Sequence, residues 1–290
     1  MYKYIDKMEL SSLPELYARL KGIKHIALDM DGTIYNGGTL FPFTIPFLTK
    51  IKEMGIGYSF LTNNPSKSTN DYLAHLAKMG IEATREEMYT SAQATIDYIK
   101  ANHPQAKRLF ILGTPSMIAE FESAGFISTA DDASDIPDLL VVSFDMSLTY
   151  SRLCRAAWWA SRNIPYIATN PDRVCPTDKE VVLVDCGSIY TCIEHATGRN
   201  PDVVIGKPDP RMLEGILTRY SLKPSEVAMI GDRIYTDVRM AYNAGAIGVL
   251  VLSGETTMDI VTQSDLKPDI IARNLAEFED MVINAYANTI

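Results

Sequence analysis

The sequence predicts an α/β protein with a parallel-sheet core and a second α/β unit inserted in the middle of the chain. Three observations predict it. Apolar runs of strand length alternate with helical patterns at both ends, polar and acidic residues gather just after several of these runs, and the middle of the chain has a strand-helix rhythm of its own.

Taken in order, residues 25–28 read as a strand, 44–54 as a helix, 58–61 as a strand and 71–79 as a helix. The rhythm returns with a helix over 211–220, a strand over 227–230, a helix over 237–244, a strand over 248–252 and a short run at Ile270. These terminal halves are expected to share one sheet. Between them, strands over 108–112, 139–143 and 166–168 alternate with helices over 115–124 and 149–162. The expected division is residues 1–100 for the first part of the core, 101–203 for the insertion and 204–290 for the second part. Only modest linker signals, Asn102-His103-Pro104 and Gly198 to Pro201, mark its edges.

Composition narrows the function. The 290 residues are 47% hydrophobic and 22% charged, an ordinary globular balance. Lys and Arg number 27 against 36 Asp and Glu, a formal charge of -9, which disfavours nucleic acid as a partner. No run approaches the ~20 apolar residues of a membrane span, and the opening MYKYIDKMEL mixes charges unlike a signal peptide, so a cytoplasmic protein is expected. Cys154, Cys175, Cys186 and Cys192 lack metal or redox spacing and are expected to be mostly buried thiols.

The chemistry concentrates in four clusters at strand ends. In Asp29-Met30-Asp31-Gly32 a spacing of two lets both acids approach one point while glycine frees the turn, suiting Asp29 as a nucleophile and Asp31 as general acid and base. A surface turn is the bland alternative. A calcium loop fails, because it needs its glycine sixth and a glutamate twelfth, whereas here Gly32 is fourth and Leu40 twelfth. Thr62-Asn63-Asn64 offers a hydroxyl and amides for phosphate oxygens, or simply a capped turn. Lys207 supplies a point charge at a strand-to-helix junction. Asp232 is placed to hold a cation, and Asp237 to orient it from behind. There is no glycine-rich dinucleotide signal after a strand and no Gly-Lys-Ser/Thr loop, and the four histidines lack metal spacing.

In this order, DMDGTIY, LTNNPS, GKPDP and GDRIYTD resemble the four motifs of the haloacid dehalogenase-like superfamily, and their wording is similar to its NagD-like phosphatase branch. ATNPD, GSIYTCIEHATGRNPD and LVLSGET extend the likeness over nearly the whole chain. The resemblance implies a Rossmann-like parallel-sheet core with an α/β cap, and a phosphatase of small phosphomonoesters such as sugar phosphates, nucleotides, phosphoglycolate or pyridoxal phosphate. Asp29 would carry an aspartyl-phosphate. Mg²⁺ would be held by Asp29, the Asp31 main-chain carbonyl and Asp232, with Asp237 in support, and phosphate by Thr62, Asn63, Asn64 and Lys207. The cap loop running from Asn170 to Pro176 would face the leaving group, making Asn170, Asp172, Arg173 and Cys175 candidates for substrate selection. One departure stands at Asp185-Cys186-Gly187-Ser188, which leaves the parts played by Cys175, Asp185 and Cys186 open. A phosphotransferase or phosphomutase, or a non-catalytic binder of phosphorylated metabolites, is the alternative, and a homo-oligomer stays compatible.

Overall fold

The computed structural model describes residues 13–175 and 180–287. The reading of the N-terminal opening and Pro176 lie outside the described residues. Two compact units divide the chain: Met1–Leu61, Leu76–Glu87 and Pro210–Ile290 form one, Thr62–His75 and Met88–Asp209 the other.

In the first unit, five parallel strands lie in the order Ile270–Ala272, Ile247–Val251, Val227–Gly231, His25–Leu28 and Gly57–Thr62. His25–Leu28, Val227–Gly231 and Ile247–Val251 are buried along their whole length, which is why they read as unbroken apolar runs. The central strand His25–Leu28 has Gly57–Thr62 on one side and Val227–Gly231 on the other, so the chain order reverses there. Open parallel sheets bind ligands outside the carboxyl ends at such a reversal. Leu28 is level with Ile230, and Asp29 and Asp232 therefore emerge from adjacent strand ends.

Helix Thr44–Glu53 buries Thr44, Phe47, Leu48 and Ile51, one stripe at helical spacing. It packs on Leu275–Ala287, where Phe47 and Phe278 bring their ring centres within 6.4 Å. The helix expected over 237–244 differs in its first turn. Ile234–Val238 form a π-helical turn and only Arg239–Ala244 are α-helical. The cause is local: the Arg233 carbonyl accepts from both Asp237 N (3.0 Å) and Val238 N (3.4 Å), while Arg233 N donates to the Asp237 carboxylate (3.1 Å). Turns widened this way are frequent at functional sites.

The second unit holds a parallel sheet in the order Val203–Val204, Tyr166–Ala168, Leu139–Val142, Arg108–Leu112 and Ile127–Ser128. Its helices Ser91–Asn102, Pro115–Ser123, Tyr150–Ala160 and Cys186–Thr197 each start at a side-chain cap, from Thr90, Thr114, Thr149 and Asp185. Phe110, Leu140, Val142, Trp159, Tyr166, Cys186 and Ile189 form its core. A short antiparallel pair joins Val174–Cys175 to Leu183–Val184. The expectation of mostly buried thiols is corrected here. Of the four cysteines only Cys186 is buried, because Cys154 and Cys192 lie on outward helix faces and Cys175 is half-buried at a strand end.

His25 starts the central strand at 4% exposure, with Nε2 2.9 Å from Ser59 Oγ and its ring 4.4 Å from that of Tyr220. Burial pushes its pKa down from 6.5 to about 4. The unfolded chain takes up this proton on falling below 6.5 while the folded chain refuses it until about 4, so stability is lost across that window as pH falls. The full shift is worth ~3 kcal/mol. Urea midpoints measured from about pH 7 to about pH 4.5 should fall more steeply for wild type than for His25→Gln. Parallel curves would show that His25 accepts its proton in the folded state.

Candidate active site

The central strand His25–Leu28 leads directly into the first part of the site. Asp29 N donates to Ile230 O at 2.8 Å, extending the sheet by one residue before the chain turns. The turn closes through Ile34 N and Thr33 N on Met30 O, and through Gly32 N on Tyr35 O (2.7 Å). Gly32 has φ +82, and a Cβ there would collide with the Asp232 carboxylate. Thr33 Oγ1 lies 3.4 Å from Asp29 Oδ2, whereas Asp31 is exposed and accepts from Gly37 N at 3.3 Å.

Asp29, Asp232 and Asp237 each offer a carboxylate oxygen, and the three lie within 4.8 Å of one another. Asp31's side chain is outside this group, and Asp237, read from the sequence as a supporting residue, is inside it. Asp232 is 3% exposed. Its carboxyl is pushed up to about 7, by burial above all and then by the charges of Asp29 and Asp237. Its Oδ2 accepts from Glu255 N at 2.6 Å, but its buried Oδ1 has no hydrogen-bond donor among the described residues. Crowded carboxylates, two of them buried and one half-buried, fit a hard divalent cation that takes oxygen ligands. Asp29 and Asp232 would hold it, with Asp237 beside them.

In the second unit, Thr62 Oγ1 accepts from Asn64 N (3.1 Å) and Asn64 Oδ1 from Ser66 N (2.9 Å), so the segment is a tight polar turn. Tyr72 OH donates to Asn64 O at 2.8 Å, and Asn64 Nδ2 reaches Cys175 Sγ at 3.6 Å. Asn63 meets Lys207, which is only 2% exposed, and Asp172. Asn170 is fully buried and donates to Asp185 Oδ1 at 3.0 Å. Asp185 is the N-cap of helix Cys186–Thr197, and burial raises its pKa to about 6. Burial likewise lifts the Cys186 thiol to about 12, keeping it protonated and inert. Arg173 is exposed, and its carbonyl accepts from Asp185 N (3.0 Å) and Ser188 Oγ (2.7 Å).

Sequence reasoning gave no role to the segment that supports Asp232, noting it only within LVLSGET. Ser253 Oγ donates to Gly32 O (2.7 Å), and Thr256 N donates to Asp232 O (3.1 Å). Glu255 also forms an ion pair with Arg233 at 2.9 Å. Added Cβ atoms at Gly254 and Gly231 would run into the Asp232 and Asp237 carboxylates. The available signal was the glycine and hydroxyl run Ser253-Gly254-Glu255-Thr256 at another strand end.

Comparison with known proteins gives this arrangement its context. The family model described as haloacid dehalogenase-like hydrolase matches residues 26–127, and one described as HAD-hydrolase-like matches residues 204–278. The chain is 30% identical over 257 residues to the ribonucleotide monophosphatase NagD of Escherichia coli, covering 89% of this chain and 98% of that one. A 4-nitrophenylphosphatase structure from Thermotoga maritima superposes with TM-score 0.86 at 38% identity, covering 91% and 99%. A glycerol phosphate phosphatase from Mycobacterium tuberculosis, solved in complex with magnesium, gives TM-score 0.82 at 26% identity over 90% and 78%. Both halves of the core match the family, and the likeness to its phosphatases runs through the inserted unit as well. The chain therefore belongs to the haloacid dehalogenase-like hydrolases, in their NagD-like phosphatase branch.

Proposed function

We propose that this phosphatase is Mg²⁺-dependent and hydrolyses a small phosphomonoester through an aspartyl-phosphate on Asp29. The observation that carries the reading is the convergence of the Asp29, Asp232 and Asp237 carboxylates around a buried Asp232 oxygen that has no donor among the described residues. Phosphatases of this family are metal-dependent, and a relative's structure was solved with magnesium.

In the proposed reaction an Asp29 oxygen attacks phosphorus, and the bond from phosphorus to the ester oxygen breaks. Asp31, protonated, gives its proton to the departing oxygen. The resulting Asp31 carboxylate then takes a proton from water, whose oxygen attacks the phosphorus of the acyl phosphate. Inorganic phosphate leaves and Asp29 is regenerated. Asp29, the Asp31 carbonyl and Asp232, with Asp237 beside them, would hold Mg²⁺, which would supply positive charge to offset repulsion between carboxylate and phosphate dianion. The Thr62-Asn63-Asn64 segment and Lys207 hold the phosphoryl oxygens, Asn63 through its main chain, since its side-chain amide is bonded to Lys207 and Asp172. Residues 101–203 serve as the cap, and Asn170, Asp172, Arg173 and Cys175 bear on the leaving group. The relatives named above act on ribonucleotide monophosphates, 4-nitrophenyl phosphate and glycerol phosphate, which supports a nucleotide, sugar phosphate or similarly small substrate here. Among the described residues no helix is long and apolar enough to cross a membrane.

Asp29→Asn should abolish turnover of 4-nitrophenyl phosphate with the circular dichroism spectrum unchanged; retention of most activity would remove Asp29 from its role. Asp31→Asn should cost about 10²–10⁴ in rate, more on alkyl than on 4-nitrophenyl esters because an alkoxide needs the proton more. Equal losses on both would argue against Asp31 as the acid.

Metal binding is checked separately by thermal melting. Wild type should gain stability and activity when Mg²⁺ replaces EDTA. Asp232→Asn should melt no lower than wild type in EDTA, because it relieves carboxylate repulsion, and should gain nothing from Mg²⁺. Equal Mg²⁺ stabilisation of both proteins would exclude Asp232 as a ligand.

A further inference from the structure

We propose that Asn63 and Asp172 are positioning residues that set Lys207 through its main chain, so that a cap-loop side chain governs phosphate affinity itself. This rests on the phosphatase reading in one respect, that Lys207 meets phosphate.

The Asn63 side chain is paired with the backbone of Lys207 on both sides. Its Oδ1 accepts from Lys207 N at 2.6 Å, and its Nδ2 donates to Lys207 O at 3.1 Å. The second Nδ2 hydrogen goes to Asp172 Oδ2 at 3.0 Å. Both amide hydrogens are thus engaged, and the amide can take only this orientation. Flipping it would set Oδ1 against a carbonyl and a carboxylate, and Nδ2 against an N–H. The Asn63 carbonyl accepts from Ser91 Oγ at 2.8 Å, which ties its own backbone down. What the Asn63 side chain does is therefore grip the lysine's main chain.

Asp172 is held as firmly. Gly187 N donates to Asp172 O at 2.7 Å, and a Cβ on Gly187 would collide with the carbonyls of Pro171 and Asp172, so the loop sits directly on the start of helix Cys186–Thr197. Gly206, just before the lysine, has φ +86 and passes so close to Asn170 that a Cβ would stand 2.9 Å from the Asn170 Cα. Loop 170–173 and the Lys207 segment are thus set against each other at two points, one of them the Asp172–Asn63 bond. A charge-assisted bond at the end of a saturated amide fixes the donor's angle, and through it the lysine's φ and ψ.

Calorimetric binding of inorganic phosphate in the presence of Mg²⁺ tests this without requiring turnover, alongside kcat/KM on 4-nitrophenyl phosphate and on glycerol phosphate. Asp172→Ala should weaken phosphate binding at least about fivefold and lower kcat/KM on both esters by a similar factor. Asp172→Asn, whose oxygen still accepts from Asn63, should keep binding of inorganic phosphate, which has no leaving group, within about twofold of wild type. Asn63→Asp should be worse than Asp172→Ala, and combining it with Asp172→Asn should recover part of the loss, since the bond re-forms with its direction reversed. Phosphate binding by Asp172→Ala equal to wild type would overturn the inference, as would equal losses for Asp172→Ala and Asp172→Asn. A strictly additive double variant would overturn it too. Wild type that binds phosphate but turns over neither ester would defeat the phosphatase reading and leave this one to be judged by binding alone.

Discussion

Repulsion among the carboxylates of Asp29, Asp232 and Asp237 is the constraint on which the end of the first unit's sheet depends. Three acids within 4.8 Å, with Asp232 buried, are unfavourable in an apolar setting unless their charge is met. The chain answers with backbone. Glycines stand at 32, 231 and 254, where side-chain atoms would strike the acids, and the amides of Glu255 and Arg233 donate to Asp232 and Asp237. Arg233 adds a guanidinium whose own charge is partly committed to Glu255. Three carboxylates gathered this closely, one of them deeply buried, make a donor set suited to a cation.

Much of the fold was legible because parallel strands buried on both faces leave unbroken apolar runs. His25–Leu28 and Val227–Gly231 are of this kind. The helix Ser91–Asn102 was not, because its buried face is Ala92, Ala94 and Thr95 with only two isoleucines, too weak an apolar contrast to show a period. Cys186–Thr197 was obscured by Gly187, which belongs at its start for close packing against the loop carbonyls of Pro171 and Asp172. The π-helical turn at Ile234–Val238 leaves no local signal, since its geometry depends on where the Asp237 carboxylate is tied.

In the site, residues on strand ends could be picked out, because position in a sheet is set by sequence order. Roles that depend on which hydrogen bond a side chain makes could not. An asparagine in a turn motif looks the same whether its amide faces a ligand or a neighbouring backbone, and Asn63 differs from a ligand-facing residue only in its partners. Asn170 reads as a loop residue open to a ligand and is wholly buried against Asp185. The Ser253 to Thr256 support for Asp232 comes from far along the chain and touches it chiefly through main-chain amides, which carry no residue-type signature.

The central strand pairs with Val227–Gly231, a partner made about 200 residues later, while every strand of the second unit's sheet is encoded in between. During synthesis the inserted unit is therefore fully available to fold before the sheet that bears the acids can be completed. Closing that long loop is an entropic step whose cost falls once the intervening chain is already compact. The early strand His25–Leu28, apolar on both faces, waits meanwhile with one edge unfilled. Placing the inserted unit inside the core's sequence thus lets the element that would choose the substrate be completed before the chemistry exists.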